Sequence, residues 1–371
     1  MTHVTPIKMP KWGLSMQEGA IVDWWKREGD SVADGEDLVD IETSKISNVC
    51  ESPGAGVLRR VLAQPGETLP VGALLGVLAD AEVSDAEVEA FISEFQANFT
   101  PETEEEAAQG AMALSTVTVG GRDIRVGRAG PETGAPAVLI HGYGGDLNNW
   151  LFNLEPLAAV RPVIALDLPG HGGSSKAVGD GALTGLANTV AGVMNSLGID
   201  AAHLVGHSLG GAIALRLALD HPDLALSVTL ICPAYLPGTF LSETFLTGLI
   251  DAQKAKDLRP VLGELLADPD TVTKDMVEDM LRFKRTDGVE EALTVLRDRM
   301  LAGADAAALR ADLARGPKTL VIASHDDKIV GSPDESALPA NVRVRWIDQA
   351  GHMPHLEQAA AVNAILAEAM V

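Results

Sequence analysis

The chain has 371 residues, a formal net charge of −24 and 46% hydrophobic residues. At ~150 residues per domain the length fits two or three domains, and the apolar content supports a sizeable buried core, which excludes wholesale disorder. The acidic balance excludes the basic stripe with which proteins neutralise nucleic-acid phosphates or settle on anionic lipid. Cys50 and Cys232 are the only cysteines, neither in a CxxC, and read as small buried residues rather than a disulfide framework. No run of 18 apolar residues occurs, and the opening MTHVTPIKMPKW holds no apolar leader segment. No membrane span or secretion is therefore expected, and the cytoplasm is the expected compartment.

Composition shifts twice along the chain. Residues 1–79 carry 7 basic and 11 acidic side chains, residues 80–113 carry 10 acidic and no basic ones, and residues 114–371 carry 21 and 31. Boundaries are placed near 80 and 114. In the first block Gly19, Gly29-Asp30, Gly35, Pro53-Gly54, Pro65-Gly66 and Gly72 punctuate β-rich runs such as Ala20–Trp25 and Leu38–Glu42. Turn signals at that spacing predict an all-β sandwich or barrel of about eighty residues. Asp40-Ile41-Glu42-Thr43-Ser44-Lys45-Ile46 joins two strand-like runs and puts Lys45 at a predicted hairpin tip, where a primary amine is accessible to a modifying enzyme.

With Gly29 16 residues before Lys45 and Gly56 11 after it, this segment resembles the lipoyl domain of 2-oxo-acid dehydrogenase-type complexes over residues 3–79. The resemblance implies a flattened β-barrel of two sheets carrying lipoate in amide linkage on Lys45. The family's usual Asp before the lysine is Ser44 here. The related biotinyl domains place Met on both sides, so Ser44 and Ile46 set this turn apart from biotin.

The acidic block contains one predicted helix. Ser84 and Glu87 form a capping-box pattern, and Val88, Phe91, Ile92, Phe95 and Phe99 follow at helical spacing. Its apolar stripe suits either packing on its own domain or docking against another chain. Thr100–Gly110 reads as a charged, extended linker.

The third block alternates short apolar runs, Ala137–Ile140, Val163–Leu166, His203–Val205, Val228–Ile231, Thr319–Ala323 and Val342–Ile347, with helical stretches such as Gly211–Asp220 and Leu356–Met370. That pattern predicts an α/β domain with a mainly parallel sheet, helices on both faces and a helical insertion at about 236–314. Gly206-His207-Ser208-Leu209-Gly210 is a G-x-S-x-G match lying between a predicted strand and a predicted helix, the context of a protruding serine nucleophile. A serine needs a base, and the base an orienting acid. Asp327 or its neighbour Asp326, and His352 or His355, follow predicted strands in the order Ser, Asp, His. Residues 114–371 thus resemble the α/β-hydrolase family. That resemblance favours Asp327, which stands before Lys328-Ile329-Val330, and His352, which follows Gly351.

His141-Gly142-Tyr143-Gly144-Gly145 follows a strand as well, and the backbone N–H groups of Tyr143 and Leu209 are the candidate oxyanion hole. His207 and His141 flank the site, whereas His171, His203 and His221 read as packing or loop residues. No HExxH or Cys/His cluster occurs, so no metal is expected. The insertion would be a cap rich in cations, among them Lys254, Lys256, Arg259, Lys274, Arg282, Lys284, Arg285, Arg297, Arg299 and Arg310. They form either a solvated face or, around Lys284 and Arg285, a seat for a phosphorylated substrate such as coenzyme A.

A lipoyl-like block fused to a hydrolase-like block resembles, over the whole length, the dihydrolipoyllysine acetyltransferase components of acetoin dehydrogenase (acetoin-cleaving) systems. The resemblance implies an acyltransferase that takes acetyl from thiamine-diphosphate-dependent acetoin dehydrogenase subunits onto lipoyl-Lys45. Acetyl then passes to coenzyme A, and a dihydrolipoyl dehydrogenase reoxidises the dithiol. The His-x-x-x-Asp-Gly motif of ordinary acyltransferase components is missing. Two alternatives stay open: a hydrolase in which water resolves the acyl-serine, and a lipoyl carrier or scaffold with an idle hydrolase fold.

Overall fold

The computed structural model describes residues 4–10, 16, 18–43, 47–100 and 112–370, without the side chain of Asp275. The chain divides into two compact units, one made essentially of the residues up to Ala111 and the other of the residues from Met112 on.

In the N-terminal unit, the strands are β1 (Val4–Lys8), β2 (Glu18–Trp24), β3 (Ser31–Val32), β4 (Asp37–Glu42), β5 (Ser47–Glu51), β6 (Gly56–Val61), β7 (Thr68–Pro70) and β8 (Leu74–Ala79). They form two four-stranded antiparallel sheets, ordered β1-β8-β6-β3 and β5-β4-β2-β7. Ile7, Ile21, Leu38, Ile41, Leu58, Leu75 and Leu78 fill the core. In the β4–β5 ladder Glu42 pairs with Ser47, so segment 43–46 joins two antiparallel neighbours. Ser44, Lys45 and Ile46 themselves lie outside the described residues.

Helix α1 (Asp85–Asn98) begins at Ser84, whose Oγ accepts from Glu87 N–H at 3.3 Å while Glu87 Oε2 accepts from Ser84 N–H at 2.9 Å. The helix is held to its own unit. Val88 and Ile92 are buried with Leu74, Val77 and Ala79 of β8, which explains why that strand is buried from end to end. Arg59–Asp85 at 2.7 Å and Arg60–Glu89 at 2.8 Å tie it to β6. Phe91, Phe95 and Phe99 remain half-buried, their neighbouring rings 6.2 Å apart.

The second unit is an eight-stranded sheet, comprising β9 (Ala113–Val119), β10 (Arg122–Ala129), β11 (Ala137–Ile140), β12 (Val163–Leu166), β13 (Ala202–His207), β14 (Ala225–Ile231), β15 (Thr319–Ser324) and β16 (Val342–Ile347). Its order is β16-β15-β14-β13-β11-β12-β10-β9, parallel from β16 to β12. The β9–β10 hairpin adds two antiparallel strands that the apolar-run reading passes over. As an edge strand β9 alternates apolar with Ser and Thr and is mostly exposed, so it lacks the continuous apolar run of a strand buried on both faces.

Helices α2 (Leu151–Ala158), α3 (Leu183–Ser196) and α4 (Leu209–Asp220) connect the strands. Between β14 and β15 lie α5 (Glu243–Asp251), α6 (Ala255–Gly263), α7 (Lys274–Lys284), α8 (Val289–Leu301) and α9 (Ala304–Asp312), the helical cap. The C-terminal stretch expected as one helix is two, α10 (Pro354–Glu357) and α11 (Ala359–Ala369), because Gln358 at φ −128°, ψ 48° leaves helical geometry.

An N-cap of this kind contributes about 1 kcal/mol. Ser84→Ala is expected to speed amide hydrogen exchange across Asp85–Glu89 about fivefold, with exchange in the C-terminal unit unchanged.

Candidate active site

The turn between β13 and α4 is built around Ser208, whose φ of 54° and ψ of −119° lie in a region a residue with a side chain rarely occupies. Such strain costs on the order of 1–3 kcal/mol and persists only where the surroundings enforce it. They do so here by close approach. A Cβ on Gly206 would lie 2.2 Å from Gly210 O, and one on Gly210 would lie 2.1 Å from Ile140 O. Ser208 N–H donates to Ile231 O at 2.9 Å, and Ser208 O accepts from Ala234 N–H at 3.1 Å, so the end of β14 and the loop after it hold the turn on both sides. Ser208 is 5% exposed.

His352 is fixed at three points. Its Nδ1 meets Asp327 Oδ2 at 2.8 Å, its N–H donates to Leu265 O of the cap at 2.8 Å, and its carbonyl accepts from His207 Nε2 at 2.8 Å. The last bond links the His352 loop to the residue before Ser208, and the two histidine rings are 4.7 Å apart. Asp327 is buried, and its Oδ1 accepts from Ile329 N–H at 2.8 Å and Val330 N–H at 3.0 Å. Burial pulls its pKa up, but the His352 charge and hydrogen bond and the two amides outweigh burial and hold the carboxyl below its ordinary value. Asp326 is exposed. His355 is buried between Trp150 and His207 with ring centroids 5.0 and 4.5 Å away. Neither of its ring nitrogens has a protein partner, and burial drops its pKa to about 3. The structure thus pairs His352 with Asp327 and ties its loop to the residue before Ser208, whereas Asp326 is exposed and His355 is buried without a polar partner.

The loop after β11 lies against the same turn, since a Cβ on Gly142 would meet Ser208 Cβ at 2.8 Å. Among the described residues, the N–H groups of Tyr143 and Leu209 have no protein acceptor. Leu209 N–H opens α4, where the helix dipole favours negative charge. The other donor, in Tyr143, sits in a loop clamped by two buried histidines. His171 Nε2 accepts from Gly144 N–H at 3.0 Å while its Nδ1 donates to Pro169 O at 3.0 Å. His141 Nε2 accepts from Leu168 N–H at 3.0 Å while its Nδ1 donates to Gly142 O at 2.8 Å. Both must be neutral to accept, and burial keeps them so, lowering His141 and dropping His171 to about 3. His171 therefore positions the loop, a role its place in Asp167-Leu-Pro-Gly-His signals only weakly.

Cys232 Sγ, an Asp327 oxygen and a His352 nitrogen lie within 4.8 Å of one another. Burial raises the thiol well above its ordinary pKa, which makes it a poor metal ligand. Of the two residues at the expected phosphate seat, Lys284 donates its ammonium to Ala252 O, and burial lowers its pKa. Arg259 and Arg310 are likewise tied to backbone carbonyls, and Arg282, Arg297 and Arg299 to aspartates. Among the described residues, Lys254, Lys256 and Arg285 are exposed and form no ion pair. No helix among the described residues is long and apolar enough to cross a membrane.

Comparison with known proteins agrees with these two halves. Residues 136–359 match the alpha/beta hydrolase fold family, and residues 5–78 match the family described as biotin-requiring enzymes. The chain is 45% identical over 370 residues to the dihydrolipoyllysine-residue acetyltransferase component of the acetoin cleaving system of Pseudomonas putida, covering 98% of this chain and 97% of that protein. It is 44% identical over 366 residues to the component of the same name in Cupriavidus necator, covering 98% and 96%. A meta-cleavage product hydrolase of Pseudomonas fluorescens shares the fold of the second unit, with a TM-score of 0.62 at 22% identity over 69% of this chain and 97% of that one.

Asp327→Asn tests the triad directly. With Oδ1 accepting two amides, an asparagine would turn its NH₂ toward His352 Nδ1 and force the proton onto Nε2, the wrong tautomer for a base. Covalent labelling of Ser208 by an organophosphonate is expected to slow by about 10⁴-fold.

Proposed function

Because the chain belongs to the family of dihydrolipoyllysine-residue acetyltransferase components of acetoin-cleaving systems, we propose that Ser208, His352 and Asp327 pass acetyl from a thioester to coenzyme A through an acetyl-serine. The observation that carries this reading is the 2.8 Å bond from His352 Nδ1 to Asp327, which leaves Nε2 as the ring nitrogen available for proton transfer.

Lipoate in amide linkage on Lys45 would supply the thiol on which acetyl arrives. The fit rests on the β4–β5 ladder, which ends at the Glu42–Ser47 pair and so gives Lys45 a place in a connection between two paired strands. At the triad, Ser208 Oγ gives its proton to His352 Nε2 and bonds to the thioester carbonyl carbon. The N–H groups of Tyr143 and Leu209 stabilise the oxyanion. His352 returns the proton to the departing sulfur as the C–S bond breaks, leaving the acetyl-serine. The coenzyme A thiol then gives its proton to Nε2 and its sulfur attacks the ester, and Ser208 leaves with that proton. Asp327 holds the tautomer and stabilises the imidazolium. Lys254, Lys256 and Arg285 are the exposed cap cations suited to the phosphates of coenzyme A.

The system contains further subunits. Thiamine-diphosphate-dependent acetoin dehydrogenase subunits would load the acetyl group, dihydrolipoyl dehydrogenase would reoxidise the dithiol, and the cytoplasm would house them. Neither nucleic acid nor membrane enters this scheme.

Incubating the full chain with acetyl-dihydrolipoamide and coenzyme A tests the reading. Acetyl-CoA is expected from the wild type, with Ser208→Ala slower by at least about 10³-fold. Transfer by Ser208→Ala at the wild-type rate would contradict it, and acetate as the sole product would make the unit a hydrolase.

A further inference from the structure

Three cap helices converge on one short loop. The Tyr143 ring is buried, and its hydroxyl donates to Leu293 O of α8 at 3.1 Å with Leu246 O of α5 at 3.5 Å. Burial raises the phenol's pKa, so it remains a neutral donor. Gly144, at φ 75°, lies so close to α5 that a Cβ would sit 2.5 Å from Leu249 Cδ2. His171, which holds Gly144 N–H, stacks on Phe283 of α7 with centroids 6.3 Å apart and planes 13° apart. The backbone of the same Tyr143 offers the unpartnered N–H beside Ser208. One residue thus joins the cap, through its side chain, to the candidate oxyanion hole, through its amide.

This juxtaposition has a consequence for turnover. Ser208 is 5% exposed, and the loop beside it is the one these cap contacts hold. A cap that stays shut keeps bulk water from an acyl intermediate. Resting on the acyl-serine reading above, we propose that the Tyr143 hydroxyl is a positioning group that fastens the oxyanion loop to the closed cap and thereby sets how the acetyl-serine divides between coenzyme A and water. In the competing branch water gives a proton to His352 Nε2 and its oxygen bonds to the acetyl carbonyl carbon. The ester C–O bond breaks, and acetate and the Ser208 hydroxyl are released.

Tyr143→Phe removes the hydroxyl and keeps both ring and amide. Leu293 O lies inside α8, whose own ladder still uses it, so no buried group is orphaned. The ratio of acetate to acetyl-CoA is expected to rise roughly two- to tenfold, the worth of one net hydrogen bond. Phe283→Leu, which loosens the His171 contact by another route, is expected to raise it in the same direction. An unchanged ratio in both variants, with folding verified by circular dichroism, would overturn the proposal. If Tyr143→Phe fails to fold, an unchanged ratio in Phe283→Leu suffices. Organophosphonate labelling of wild-type Ser208 is run alongside. No labelling tells against the acyl-serine itself, whereas normal labelling with an unchanged ratio tells against the latch alone.

Discussion

The hydrogen bond between His352 and Asp327 joins two buried groups, and burial alone would favour a neutral carboxyl. A neutral acid could not stabilise an imidazolium. The site avoids that outcome because Asp327 lies in the loop after β15, where the chain folds back, giving two amides to Oδ1 and leaving Oδ2 for the ring. The rest of the second unit extends this arrangement. His207 ties the His352 loop to the Ser208 turn, Leu265 ties it to the cap, and Glu357 bridges Gly351 N–H at 2.8 Å and Ala267 N–H at 2.7 Å. Loss of this hydrogen bond would leave these supports aimed at a His352 ring with no fixed tautomer.

The oxyanion side follows the same logic with neutral groups. His141 and His171 are kept uncharged by burial and act as acceptors for backbone amides. A protonated ring would place a donor against a donor, so the low pKa values belong to the architecture of the loop. In both halves of the site, buried polar side chains serve chiefly to satisfy and orient backbone groups.

Much of this was legible in the sequence where the signal is local. The G-x-S-x-G segment sits between strand and helix because its glycines allow an approach that a Cβ would block. Asp327 and His352 stand in loops after β15 and β16, as their places after apolar runs suggested. Capping at Ser84 is likewise written within four residues. What could not be read depends on partners far away in the chain. Tyr143 and Leu293 are 150 residues apart, His207 and His352 are 145, and no periodicity marks which carbonyl a side chain will reach. Lys284 looked like a free cation because nothing in its neighbourhood shows that Ala252 O will receive it. The hairpin of β9 and β10 escaped because edge strands alternate instead of running apolar.

The chain combines a unit suited to carrying an acyl group with a unit suited to passing it on, and the proposed transfer turns on the covalent step at Ser208. The most direct measurement is to mix the protein with acetyl-dihydrolipoamide without coenzyme A, quench within milliseconds to seconds, and locate acetyl by peptide mass spectrometry. The expected result is acetyl on Ser208 that disappears when coenzyme A is added, as acetyl-CoA forms. Acetyl-CoA formed with no acetylation of Ser208 at any time point would contradict it.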